Sequence, residues 1–288
     1  MAIDPPQIAS QPVGMPGEAC PTCGESEREP QFFGAPEHQC DLGGLRLVEV
    51  RHEAAREVPR HAHSTAFVSV LIAGRYQSRF GRTAMDFRPG CAVWHEDGFD
   101  HEDSIAEGGA LFFCVEVERE RLDSLGAWQA RKPLSAALGD SASVSLLRLF
   151  IANRTNGDGL HLEALSSEFL GAAVEGDVDA AGGSWLSRVV ERLRCEPGAR
   201  ASLSELAEIA GVHPCHLTRS FRARFACSIG EYARMLRLRC AWERLTDPGT
   251  DIAELAYSLG YSDQAHFTRE FASVLKIPPA RARRAILA

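Results

Sequence analysis

Residues 206–221, LAEIAGVHPCHLTRSF, and residues 255–271, LAYSLGYSDQAHFTREF, state one pattern twice. Each runs Leu-Ala, three residues, Gly, and then His, an apolar residue, Thr, Arg, a variable residue and Phe. The second copy carries one extra residue after its glycine. A short apolar stripe closing on glycine, followed by a second stripe, predicts two helices meeting at a sharp turn. That is the layout of a helix-turn-helix. Two such units about 50 residues apart leave little room for any other C-terminal architecture.

Local signals support the same reading. Ser202-x-x-Glu205, Ser228-x-x-Glu231 and Asp251-x-x-Glu254 match helix-capping patterns. Pro214 stands where a first helical turn tolerates it. Leu203, Leu206, Ala207 and Ala210 form one stripe, and Leu217, Phe221 and Phe225 the next. Tyr232, Leu236 and Leu245 run along a longer joining helix. Ile252, Leu255, Ala256 and Leu259, then Phe267 and Phe271, repeat the first two stripes.

The net charge of −8 conceals an asymmetry. Residues 184–288 hold 16 Lys and Arg against 11 Asp and Glu, a net of +5, so the remaining 183 residues carry −13. A basic module beside an acidic one fits a nucleic-acid reader attached to a part that avoids phosphate. A helical bundle with no DNA role is the plainer alternative. It explains neither the repeat nor the local charge.

Residues 186–284 resemble the DNA-binding domain of the AraC/XylS family of bacterial transcription regulators. The bridging segment from Tyr232 to Ala241 and the segment from Ile252 to Tyr261 carry the likeness. The resemblance implies two helix-turn-helix units that place recognition helices in adjacent major-groove segments. It points to Cys215, Thr218 and Arg219 on the first recognition helix and to Gln264, Thr268 and Arg269 on the second. Side-chain chemistry agrees, since Arg pairs with guanine and Gln with adenine. Arg222 joins this group as a phosphate contact, with Arg237, Arg239, Arg281 and Arg284 as further clamps or solvated charges. His216 and His266 read as packing or capping residues. Ala226 and Lys276 depart from the family pattern, which has glycine after each recognition helix. Ala282 departs at a position that is usually aromatic.

Residues 40–120 change character. Leu45–Val50, Phe67–Ile72, Tyr76–Phe80, Ala92–Trp94 and Leu111–Val117 are short apolar runs separated by turn residues, which predicts a β-barrel or sandwich. His61-Ala-His63 places two imidazoles on one strand face, and His101 supplies a third from a later strand. This part resembles a cupin barrel, whose motifs supply His-x-His, a Glu and a later His. His61, His63 and His101 match three of those four positions, and Phe67 stands near the place of the Glu. The three histidines are a candidate divalent-metal site in the barrel, with Asp103, Glu102 or His95 as candidates for the missing ligand, although regulatory members with this barrel commonly lack the metal. The alternative is a metal-free barrel that takes an organic effector.

Cys20-Pro-Thr-Cys23 resembles half of a zinc knuckle, with Cys40, His38 and His52 as the nearest further ligands. Nine cysteines, an odd number scattered along the chain, point to free thiols and a reducing compartment. Met1–Pro16 lacks the basic start and apolar core of a secretory signal, and no apolar run is long enough for a membrane span.

The expectation is therefore an α+β, multidomain protein. Residues 1–38 form a disordered tail, 39–125 a cupin-like ligand-sensing barrel, 126–183 a helical dimerisation segment and linker, and 184–288 the all-α DNA-binding domain. The function expected is that of a cytoplasmic homodimeric transcription regulator. Its partners would be promoter DNA, RNA polymerase and a small-molecule or ion effector, with no membrane partner. A metal-dependent cupin enzyme fused to a DNA-binding module is the rival, and the missing Glu counts against it.

Overall fold

The computed structural model describes residues 32–124, 135–155, 157–175 and 185–288. Most of the expected tail, the Cys20/Cys23 pair and the Gly176–Gly183 linker lie outside the described residues. Eight strands and ten helices follow in order. The strands before the first helix are β1 (Ala35–Leu42), β2 (Leu45–His52), β3 (Arg56–His61), β4 (Phe67–Phe80), β5 (Thr83–Phe87), β6 (Ala92–His95) and β7 (His101–Val117). Helix α1 (Arg119–Ser124), strand β8 (Ser135–Ala137), helix α2 (Asp140–Arg154) and helix α3 (Gly159–Glu175) come next. The rest is helical: α4 (Trp185–Cys195), α5 (Leu203–Ala210), α6 (Pro214–Phe225), α7 (Ile229–Leu245), α8 (Ile252–Ser258), α9 (Gln264–Leu275) and α10 (Pro279–Leu287).

All strand pairings are antiparallel, in the order β1-β2-β7-β4-β6-β8, with β3 on β7 and β5 on β4. The long β7 organises the sheet. Its first half pairs with β3 and its second half with β2, while β4 lies along its other edge. Two apolar layers result. Leu47, Val68, Val70, Ile72, Phe113 and Val115 pack outward onto helices. Val48, Val50, Leu71, Ile105, Phe112 and Cys114 belong to a separate inner cluster. Because both faces are covered, β2 and the end of β7 are buried almost without alternation.

The structure moves several expected boundaries. The tail ends early, since β1 begins at Ala35 and pairs with β2. Its residues are mostly exposed and polar, so it carries no apolar pattern to read. The runs at Phe67–Ile72 and Tyr76–Phe80 are one bent strand, β4, with register shifts at Ala73 and Tyr76. Cys40, the buried side chain of β1, is disulfide-bonded, against the expectation of free thiols. Cys91, Cys114, Cys195, Cys215, Cys227 and Cys240 are free. Among the described residues, no helix is long and apolar enough to cross a membrane.

Helix α2 is buried along nearly its whole length, with Leu146, Leu147, Leu149 and Phe150 fully so. A helix apolar all round needs cover all round. The sheet, α3, α7, α9 and α10 supply it. Among the described residues, the expected helical dimerisation segment opens with strand β8 and then the internal helix α2, and α3 turns a face outward, at Leu160, Ala164 and Ser167.

The C-terminal helices start where the capping patterns place them. Ser202 accepts from the Glu205 amide, Ser228 and Glu231 close a full capping box, and Asp251 accepts from the Ala253 and Glu254 amides. Gly211 ends α5 in the left-handed region. Ala226 and Lys276 end the recognition helices α6 and α9 in that same region, at φ 55° and 63°. An L residue is strained there and glycine is not. Ala226→Gly and Lys276→Gly should each raise stability by about 0.5–1 kcal/mol in urea unfolding. A loss of stability in both variants would show that the strain is relieved elsewhere.

Candidate functional site

Two sites emerge: a histidine-lined cavity inside the sheet and an exposed pair of recognition helices.

His61 ends β3 directly across from His101 at the start of β7. His63 follows two residues later. One ring nitrogen from each of these histidines lies within 4.8 Å of the other two. The three residues singled out by the sequence are thus brought together. His95, from β6, stacks on His101 at 5.2 Å between ring centroids, and Phe67 lies between His95 and His63, at 4.7 and 4.5 Å. The glutamate place is therefore filled by an apolar ring. Asp103, two residues along β7 from His101, brings a carboxylate oxygen to 3.4 Å from His101 Nε2 and 3.8 Å from His61 Nε2.

The hydrogen-bond bookkeeping at this cluster is unusual. His61 Nδ1 lies 2.8 Å from the Pro59 carbonyl, and His101 Nδ1 lies 3.2 Å from the Phe99 carbonyl. A carbonyl accepts only, so Nδ1 carries the proton in both rings. Nε2 of both rings then faces one Asp103 oxygen, and the other Asp103 oxygen accepts from the Tyr76 hydroxyl at 2.7 Å. Two imidazoles and a carboxylate converge here. Burial holds the His61 and His95 imidazoles below the ordinary histidine range, and the neighbouring histidines push the same way. Of the candidate substitute ligands, Asp103 faces the pair directly. The cavity around the cluster is about 60 Å³, with Val50, Tyr76, Ile105 and Phe112 in its lining.

A second polar cluster lies at the sheet's outer edge. Glu49 is fully buried, and Arg154 Nε reaches it at 2.6 Å, with Asn153 Nδ2 at 3.1 Å and His38 at 3.6 Å. Arg154 also donates to the Ala285 carbonyl of α10 at 2.8 Å. The Arg154 guanidinium thus bridges Glu49 to Glu37, at 3.2 Å, and to α10.

On α6, Cys215, His216, Thr218, Arg219 and Arg222 are exposed, while Leu217 and Phe221 are fully buried. On α9, Gln264 and Arg269 are exposed and Thr268 is half-buried above buried Phe267 and Phe271. The periodicity that chose the outward faces is the one that forms the core. The Thr218 hydroxyl donates back to the Pro214 carbonyl at 3.0 Å. His213, which the sequence did not single out, caps α6 through Nδ1. His216 packs its ring on Trp185, and His266 on Tyr261. A cleft of about 530 Å³ lies between the two units, with Thr218 on one wall and His266 on the other.

Two expected phosphate clamps are otherwise engaged. Arg237 pairs with Glu270 at 3.7 Å and lies over the Tyr261 ring. Arg239 is half-buried and binds Asp140 at 2.7 Å. A lone Arg on an amphipathic helix does not reveal its partner in sequence. Arg222, Arg281 and Arg284 remain exposed.

Comparison with known proteins places these helices. A family model described as a helix-turn-helix domain matches residues 206–285. The chain is 35% identical over 81 residues to the probable transcription factor PqrA of Proteus vulgaris, covering 28% of this chain and 66% of that protein. The C-terminal domain is an AraC-type helix-turn-helix domain. The chain is also 29% identical over 156 residues to the HTH-type transcriptional regulator GlxA of Rhizobium meliloti, covering 51% of this chain and 48% of GlxA. The chain thus spans about half the length of the one relative and two thirds of the other. A solved structure of ToxT from Vibrio cholerae aligns over 85% of this chain and 100% of its own, at 8% identity and a TM-score of 0.39.

Proposed function

We propose that the protein is a transcription regulator that reads two consecutive major-groove segments of promoter DNA and responds to a divalent metal ion held in its sheet domain. The DNA half rests on one observation: both recognition helices bury their aromatic residues and turn Arg219, Arg222, Gln264 and Arg269 outward. Arg219 and Gln264 are assigned to base edges, with Cys215, Thr218, Thr268 and Arg269 beside them in the groove. Arg222 is assigned to phosphate. The protein acts in the cytoplasm as a homodimer that engages RNA polymerase, and the outer face of α3 is the surface left for dimer contact.

The sensing half rests on the convergence of side chains that can ligate. One nitrogen from each of His61, His63 and His101 lies within 4.8 Å of the other two, and Asp103 adds a carboxylate oxygen beside His61 and His101. A tetrahedral ion with bonds near 2.1 Å separates its ligands by about 3.4 Å, and the Asp103 oxygen stands 3.4 and 3.8 Å from the His101 and His61 nitrogens. The residues fit such a group. When bound, the ion would supply positive charge and orient the three imidazoles. Its size also suits the cavity, which is far smaller than the roughly 300–1,000 Å³ of sites for drug-sized molecules. Phe67 in the glutamate place favours sensing over turnover.

Elemental mass spectrometry of the purified protein should find near-stoichiometric divalent metal, and His61→Ala/His63→Ala should remove it. Equal metal in both proteins would move the ion to another site, and none in either would favour an organic effector. With duplexes selected by the wild-type protein, Arg219→Ala and Gln264→Ala should each cost about 1–3 kcal/mol and relax preference at one base pair. Arg222→Ala should weaken all sequences alike and flatten the salt dependence by about one unit. Unchanged base preference in both of the first two variants would contradict the assigned groove face.

A further inference from the structure

The two helix-turn-helix units do not share one core. The first unit, with α4, α5, α6 and the early part of α7 at Tyr232 and Leu236, forms a separate apolar cluster. The second unit, with α8, α9 and α10, joins the cluster that contains the sheet's outer face and α2. Helix α7 belongs to both. Its changeover falls around Met235–Leu238: Tyr232 and Leu236 pack with the first unit, and part-buried Met235 with Leu238, Ala241, Trp242 and Leu245 packs with the second. Trp242 fixes the latter half, since its indole is fully buried and donates to the Ile72 carbonyl at 3.0 Å. The second unit is thus built into the body, and the first is carried on the end of α7.

One carboxylate meets the first unit at this changeover. Asp140, in the first turn of α2, is only 5% exposed. Its Oδ1 accepts from Arg239 Nε at 2.7 Å, and its Oδ2 lies 3.6 Å from Arg194. The Tyr232 hydroxyl also faces it. Arg194 and Tyr232 belong to the first unit, Arg239 lies at the changeover, and Asp140 belongs to the body. The units also meet backbone against backbone: a Cβ on Gly198 would meet the Ser258 carbonyl at 2.3 Å, and one on Gly260 would meet the Gly198 carbonyl at 2.2 Å. Such a contact sets a distance of approach and leaves rotation about α7 to be fixed by side chains. Arg237 of α7 adds a side-chain tie to Glu270 of α9 at 3.7 Å.

Asp140 is also tied to the histidine cavity. Strand β6 carries His95 at one end, stacked on His101. At its other end Cys91 Sγ lies 3.3 Å from Arg239, and the Ala92 carbonyl accepts from Leu138, two residues before Asp140. Strand β8 pairs along β6 in between. A four-residue strand therefore runs from the cavity wall to the Asp140–Arg239 pair.

We infer that Asp140 is the positioning residue that sets the angle of the first helix-turn-helix against the second, and with it the spacing of the two DNA segments. The DNA readout of this inference rests on the function proposed above. Asp140→Asn removes the charge that gathers Arg239, Arg194 and Tyr232. Arg194→Gln removes only the arm from the first unit, and serves if Asp140→Asn fails to fold. Two measurements are made on the full-length protein. Small-angle X-ray scattering without DNA should give a broader pair-distance distribution in either variant than in wild type. Binding to selected duplexes, whose two half-sites are moved apart or together by one base pair, should show wild type preferring one spacing by about tenfold and the variants by less than about threefold. Single half-site affinity should stay unchanged. A loss of stability alone lowers all affinities together and does not flatten spacing. Variants that keep the wild-type scattering and spacing preference overturn the inference. Broadened scattering in a protein that binds no duplex keeps the positioning role and removes the DNA reading.

Discussion

The indole of Trp242 in the outer face of the sheet holds the molecule in one body. A buried tryptophan contributes about 3–5 kcal/mol through apolar contact, and this one also satisfies a strand carbonyl that would otherwise be stranded. Because Trp242 lies on the helix that joins the two DNA-reading units, its anchorage decides which unit belongs to the sensor. Arg154 repeats the join at the other end of α2, linking buried Glu49 to the last helix. In the function proposed above, a sheet domain joined to one helix-turn-helix acts on the other by changing their relative angle.

The histidine cavity is suited to that task by the groups it gathers. Carbonyls at Pro59 and Phe99 take the Nδ1 protons, and Tyr76 takes one oxygen of Asp103. These groups lie in a setting of low polarity, where a cation would change the local energy more than it would in water. His95 shares this cavity and sits on the strand that leads to Arg239. A ligand shifts an equilibrium only through differential affinity for its two states.

The helical half was legible in the sequence because its signals are local. Capping residues, the glycine after α5 and the aromatic stripes each act within a few residues, and each appears in the structure where the sequence placed it. The histidine triad was legible because His61 and His63 share a strand end and His101 lies across from them. Polar, exposed β1 and β3 were not legible, since they are held by pairing rather than by burial. Nor was the role of Arg239 or Asp140. Their partners lie 99 residues apart, and no periodic pattern reports a long-range ion pair. The same limit hid the division of the reading domain between two cores, because each stripe shows that a face is buried and not against what.

Native-state amide hydrogen exchange on the full-length protein tests that division most directly. If the second helix-turn-helix is part of the sensor body, amides of α8–α10 should open with the same free energy and denaturant dependence as those of β4 and β7. Amides of α5 and α6 should open separately, at lower cost. Joint opening of α5–α10, independent of the strands, would contradict the account and restore the DNA-reading domain as a single unit.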